Sequence, residues 1–438
     1  MIRRTSLLLI YTLLILNARS QSLPNTQRVF TSDVDHFWIA YDSVQTTTDS
    51  LLQLHFIQTL YIDKGTPGLK AFMDVRDYSA PLWVSLLRQY PKFWKSVRPN
   101  TLSVQQRAGE IEASLKTFKQ LYPPLSDAKM YFTVGGLRSG GTTKDSMVLI
   151  GTEIATGDPT TDVSEFKDKW LAGVFRNQQL DNIVTLNIHE YVHTQQNSPG
   201  MPDLLGIALQ EGSADYITQL VIGKPMKTSY IVYGREHETE LKKEFMLDMF
   251  STATISRWLY NGSNAKDMAD LGYFMGYAIC EAYYQRAENK QAAIREIIEL
   301  NYSDTAATEK FLKRSGYFTE PYDRAALLRE VEKKIPVVTG LSAFVNGDTA
   351  VDPTLKELTI QFSEPMDTHR YSISRGEKGL ETYPITKVTG YSAEGRSIVI
   401  QLTLQPNHVY EFICTGRNFR SEQGYPLKPY KVSFKTRP

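Results

Sequence analysis

The sequence predicts an α+β chain: a mainly helical unit carrying a small sheet, followed by an antiparallel β-sandwich. Three observations predict it. Apolar residues recur at helical spacing through most of the chain as far as Lys334. Two runs, 130–134 and 146–151, break that spacing with strand composition and flank two glycine pairs. From Pro336 onward, short strand-like runs alternate with turns bearing Gly, Pro and Asn.

The first twenty residues stand apart from this fold. Arg3 and Arg4 give a positive start, residues 7–16 are apolar, and Ala18-Arg19-Ser20 offers small residues where a signal peptidase reads. The expectation is a secretory signal peptide cleaved before Gln21, and export to the periplasm or the exterior of a bacterium. No cysteine follows the apolar run, which argues against a lipid anchor. No later segment holds about 18 consecutive apolar residues, so no stable membrane insertion is expected. The 438 residues are 42% hydrophobic and 22% charged, with a net charge of +1. That balance suits two or three globular domains and gives no electrostatic reason to expect nucleic acid as a partner. The two cysteines, Cys280 and Cys414, fall in different predicted units and are expected to be buried free thiols.

Two domains are expected in the mature chain: one over 21–335, with a helical part 35–128 and a metal-site part 129–335, and a sandwich over 336–438. Residues 21–34 are polar. In the helical part, Leu51, Leu52, Leu54, Phe56, Ile57, Leu60 and Tyr61 keep helix spacing, and Asp63 to Gly68 break it. Residues 82–90 and 111–121 read as further helices, with Pro91 and Pro123-Pro124 as stops. His36 and His55 are read as hydrogen-bonded core histidines. Residues 147–153 are read as the edge strand of the small sheet, where a peptide could add by backbone hydrogen bonds.

The chemistry sits in His189-Glu190-Tyr191-Val192-His193. Residues 181–196 read as an amphipathic helix with Ile183, Val184, Leu186, Ile188 and Val192 on its buried side. Positions four apart share a helix face, so His189 and His193 can present two imidazoles to one zinc ion. Glu190, one position on, can take a proton from water. Such a site needs a third protein ligand. Glu211 is the best candidate, early in a second helical run over 208–221. Asp215 lies four further on, placed to receive the second N–H of a ligating histidine.

These residues resemble the gluzincin metallopeptidases, thermolysin and its aminopeptidase relatives, in which the third ligand opens a Glu-x-x-x-Asp stretch. The resemblance implies His189, His193 and Glu211 as ligands of one Zn2+, Glu190 as general base and Asp215 as orienter. It also implies a Tyr or His after the third ligand that stabilises the oxyanion. Tyr230, Tyr233, His237, Tyr273 and Tyr277 are eligible. Gly272-Tyr273-Phe274-Met275-Gly276 is similar to a Tyr-x-x-Gly element of some gluzincin aminopeptidases. In the sandwich, residues 362–367, 404–410 and 432–436 resemble the bacterial Ig-like domain of surface-layer proteins and secreted enzymes. His369 and His408 lack ligand-spaced partners there.

The resulting expectation is an exported zinc peptidase acting on peptide or protein substrates. Two alternatives stand beside it: an inactive peptide- or glycan-binding protein on a peptidase scaffold, and a zinc hydrolase of cell-wall peptides. Exopeptidase or endopeptidase action and the oligomeric state are left open by the sequence.

Overall fold

A computed structural model describes residues 27–438, apart from 168, 178–181, 198, 263, 264 and 266. The expected signal peptide and its cleavage point, and Asp181 at the start of the metal helix, lie outside the described residues. The fold is α+β. Six helices open it: α1 (Ser32–Val44), α2 (Ser50–Phe56), α3 (Pro67–Arg76), α4 (Ala80–Gln89), α5 (Pro91–Leu102) and α6 (Val104–Leu121). A π-helical stretch, Ile57–Ile62, extends α2. Thr66 caps α3 and Pro67 fills its first turn, where a missing N–H costs nothing. Pro91, expected only as a stop, opens α5 for the same reason.

Four strands form the small sheet: β1 (Val29–Phe30), β2 (Lys129–Thr133), β3 (Gly141–Lys144) and β4 (Met147–Gly151), in the order β1-β2-β4-β3. β2 runs parallel to β1 and to β4, while β3 and β4 form an antiparallel hairpin turned at Asp145, which adopts φ 53. This corrects the expected edge. Residues 147–151 lie inside the sheet, Thr152 and Glu153 already belong to the short helix α7 (Thr152–Ala155), and the edge next to β4 is β3, with β1 at the opposite edge. The Gly140-Gly141 pair leads into that edge next to β4.

Helices α8 (Lys169–Asn177), α9 (Asn182–His193), α10 (Leu204–Ile222), α11 (Ser229–Glu236), α12 (Glu238–Asp248) and α13 (Ile255–Trp258) follow. Then come α14 (Leu271–Arg286), α15 (Lys290–Glu299), α16 (Thr305–Ser315) and α17 (Arg324–Lys334). Asp203 caps α10 by accepting the Gly206 N–H at 3.0 Å, and Gly223 ends it in the left-handed region at φ 71. α10 and α14 cross in direct backbone contact. A Cβ on Gly212 would lie 2.0 Å from the Tyr277 nitrogen, and one on Gly276 would lie 1.7 Å from the Ala208 carbonyl oxygen. The glycines therefore fix how closely Glu211 on one helix approaches Tyr273 on the other.

One hydrophobic cluster holds the sheet and helices from Val29 to Phe318, and a second runs from Phe344 to Phe434. The second draws its residues largely from two antiparallel sheets. One has the order β5 (Val338–Leu341), β6 (Glu357–Phe362), β9 (Ser397–Leu402), β8 (Ile385–Tyr391); the other is β11 (Tyr430–Lys435), β10 (Val409–Cys414), β7 (Ile373–Arg375). Cys280 and Cys414 are free and buried, one in each cluster. Among the described residues no helix is long and apolar enough to cross a membrane.

Glu153 ties the sheet to the chain that feeds β3. Its fully buried carboxylate accepts the Gly135 N–H at 2.7 Å and the Leu137 N–H at 3.1 Å. Burial pushes its pKa up to about 7, against the pull of those N–H donors. Because the folded value lies above the unfolded one, this group's contribution is fully present below pH about 4.5 and lost as pH rises through 7. Its loss amounts to at most about 3 kcal/mol. Urea unfolding at pH 4.5 and pH 7.5 should show that decline. In Glu153→Gln, whose amide N–H2 must face a backbone N–H, the decline should be smaller by this group's share, and stability at pH 4.5 should fall by about 1–3 kcal/mol.

Candidate metal centre

α9 and α10 lie side by side and bring the expected ligands together. α9 buries Ile183, Ile188, Tyr191 and Val192, which turns His189 and His193 toward α10. Val184 and Leu186, expected on the same buried side, are half-buried. The Nε2 atoms of His189 and His193 lie 3.0 Å apart. Glu211 Oε2 lies 3.6 Å from the first and 3.2 Å from the second. The side chains of all three are 11–15% exposed. Ligands about 2.0–2.1 Å from a tetrahedral zinc stand about 3.3 Å apart, so these three atoms fit one ion.

The other imidazole nitrogens explain why. His189 Nδ1 lies 2.8 Å from Asp215 Oδ1, and His193 Nδ1 lies 2.7 Å from Gln196 Oε1. Both acceptors require a proton on Nδ1, so a neutral ring presents its Nε2 lone pair to the shared point. Two lone pairs facing each other at that distance, beside a carboxylate, call for a cation between them. Asp215 takes the place expected of it, and its Oδ2 accepts the Tyr230 hydroxyl at 2.9 Å. Gln196 was not anticipated. It also donates to the Gln210 carbonyl at 3.0 Å and to Ser213 Oγ at 2.8 Å, which fixes it against α10.

Electrostatics follow the same geometry. Burial works against ionising Glu211, but the two imidazoles outweigh it and hold its carboxyl well below the usual range. Burial likewise opposes a proton on His189 and His193, and the neighbouring carboxylates outweigh it, so both pKa values are raised when no metal competes. Glu190 shows the reverse balance: burial raises its pKa against the pull of both histidines. It points toward the sheet edge, where a Cβ on Gly141 would stand 3.0 Å from Glu190 Oε1. The absent side chain leaves the candidate base beside the open edge of β3.

The eligible aromatics separate into three groups. Tyr273 belongs to the site: its ring stacks on His189 with centroids 6.3 Å apart and an interplanar angle of 25°. Tyr230 holds Asp215, and Tyr277 is turned away to Gln219 Oε1 at 2.8 Å. Tyr233 and His237, both candidates from the sequence, are not brought to the ligands. His237 sits at the end of α11, where its Nδ1 bonds the Tyr233 carbonyl at 2.9 Å and its ring stacks on Tyr233. They line a separate cleft with Glu240, Glu244 and Gly424, which none of the three ligand candidates lines. Tyr260, missed from the sequence, donates its hydroxyl to Glu211 Oε1 at 2.7 Å. It stands in a loop at φ 55, and no motif marks it.

Residues 160–307 match the model of the family described as "Predicted Zn-dependent protease (DUF2268)". That segment contains all three ligand candidates, Glu190, Asp215, Gln196, Tyr260 and Tyr273. No curated protein matches the chain. Among solved structures, the N-terminal part of the bacterial S-layer protein SbsC overlaps at 16% identity and a TM-score of 0.18, covering 61% of this chain and 62% of that one. Domains 1–6 of surface layer protein SbsC overlap at 13% and 0.18, covering 61% and 36%. The chain thus spans less than two thirds of the length of these structures, and at such TM-scores they assign neither fold nor function to it.

Zinc uptake should release protons from the histidine pair, so affinity should fall as pH is lowered. Replacing the Asp215 carboxylate in Asp215→Asn should weaken zinc about 10–100-fold. Competition with a chelator at two pH values reads both effects.

Proposed function

We propose that the chain is an exported zinc metallopeptidase of gluzincin type, with His189, His193 and Glu211 holding one zinc ion and Glu190 as general base. The observation that carries the reading is the convergence of two Nε2 atoms and Glu211 Oε2 on one point, with both Nδ1 atoms already bonded. The match of residues 160–307 to a family described as predicted Zn-dependent protease supports it. Zinc held there supplies a Lewis acid and lowers the pKa of water to about 7.

The chain's own residues supply the rest. Glu190 takes the proton of the attacking water and passes it to the leaving amine. The substrate is a peptide or protein whose backbone adds along β3, the edge strand beside Glu190; strand addition binds through main-chain groups and tolerates varied side chains. Tyr273, stacked on His189, lies near enough to the ligands to face the carbonyl under attack. The signal-peptide pattern of residues 1–20 places the protein outside the cytoplasm in this reading. The 336–438 unit is taken as Ig-like, from the resemblance and from its two antiparallel sheets sharing one cluster.

Glu190→Gln keeps the shape of the site and removes the base. The variant should bind zinc as the parent does and lose at least about 100-fold in peptide hydrolysis, the lower end for a lost acid–base group. A peptide-library digest followed by mass spectrometry, with and without chelator, measures it. Undiminished cleavage by Glu190→Gln would remove the proposed base, and cleavage indifferent to chelator would remove the metal.

A further inference from the structure

Tyr260 reaches Glu211 from a loop that another part of the protein holds in place. Asp248, at the end of α12, is fully buried. Its Oδ2 accepts the Trp258 indole N–H at 2.8 Å and pairs with Arg257, while its Oδ1 accepts the Tyr425 hydroxyl at 3.1 Å. Tyr425 belongs to the C-terminal unit and is itself buried. From the same turn, the Gln423 carbonyl accepts the Arg257 Nε–H at 3.0 Å, and the Arg257 guanidinium lies 4.4 Å over the Tyr425 ring. Arg420 donates to Ser256 Oγ at 2.7 Å. The C-terminal unit thus grips Ser256 and Arg257 directly, and Trp258 through Asp248.

Two positions beyond Trp258 stands Tyr260, held at φ 55, a left-handed conformation that a tyrosine adopts only when its surroundings impose it. The next residue is tied on both sides. Asn261 donates to the Arg257 carbonyl at 2.6 Å and accepts the Asp270 N–H at 2.9 Å, at the entry to the helix that carries Tyr273. Tyr260 is 61% exposed and meets the Tyr273 ring edge-on, with centroids 6.4 Å apart, so the loop and that contact with α14 keep its hydroxyl on Glu211.

We propose that the 420–425 turn of the C-terminal unit is part of the metal centre's support: it sets Tyr260 on Glu211 and thereby orients the third ligand. Tyr260 is a positioning residue, acting through Glu211, and Arg420 and Tyr425 act through Tyr260. The C-terminal unit is then more than a spacer. This rests on the metal site proposed above, and it deepens that reading by naming what holds Glu211.

A double-mutant cycle on the full chain tests it, read as zinc affinity by competition with a chelator rather than as activity. Tyr260→Phe should weaken zinc by about 10-fold, within the range for lost support of a ligand. Tyr425→Phe and Arg420→Ala should each weaken it by about 3- to 10-fold. Added to Tyr260→Phe, neither should weaken it further, because their effect passes through that hydroxyl. Arg420→Ala leaves the Asp248 cluster whole, so it remains informative if Tyr425→Phe fails to fold. Unchanged zinc affinity in Arg420→Ala, or effects that multiply in the double variants, would overturn the proposal while leaving the metal site intact. A parent protein that takes up no zinc would overturn both.

Discussion

The structure depends on two imidazole nitrogens held 3.0 Å apart in a nearly closed site. Left neutral and alone, the two lone pairs repel; shared with a proton or a divalent ion, they attract. The chain excludes the easy escape, which is to rotate either ring, because Asp215 and Gln196 hold both Nδ1 atoms. Glu211 adds the negative charge that makes a doubly charged ion the better occupant than a single proton.

That constraint reaches outward through backbone contacts. Gly212 and Gly276 bring α10 and α14 to touching distance, which sets Tyr273 against the ring of His189. Gly141 leaves room for Glu190 at the end of β3, and Glu153 holds the residues that lead into that strand. Buried polar groups of this kind define one arrangement because each loses more by leaving its partner than it gains in water. The site is therefore built by elements far apart in sequence: a sheet edge, three packed helices and a loop.

Periodicity and spacing carried much of this. The helical pattern of α9, the four-residue step between the histidines, and the Glu211–Asp215 step on α10 are local properties, and all could be read along the chain. The residues that escaped are those whose role depends on long-range placement. Gln196 follows the second histidine by three positions, a local spacing that the chain itself displays. Tyr260 has no such signal, since its loop conformation arises from contacts around Asp248 and the 420–425 turn. The edge strand was misplaced because composition marks a strand but not its neighbours: the apolar residues of β4 suit an inner strand covered on both sides, and the half-exposed Thr142 and Thr143 suit an edge. Tyr233 and His237 were eligible by type and distance in sequence alone, and the end of α11 turns them elsewhere.

The central claim is that these three side chains share one ion. Anomalous diffraction at the zinc edge, on crystals of the full chain supplied with zinc, tests it most directly. A single strong peak within about 2.0–2.2 Å of His189 Nε2, His193 Nε2 and a Glu211 carboxylate oxygen is the result the account requires. A peak bound elsewhere, or one that omits Glu211, would contradict it.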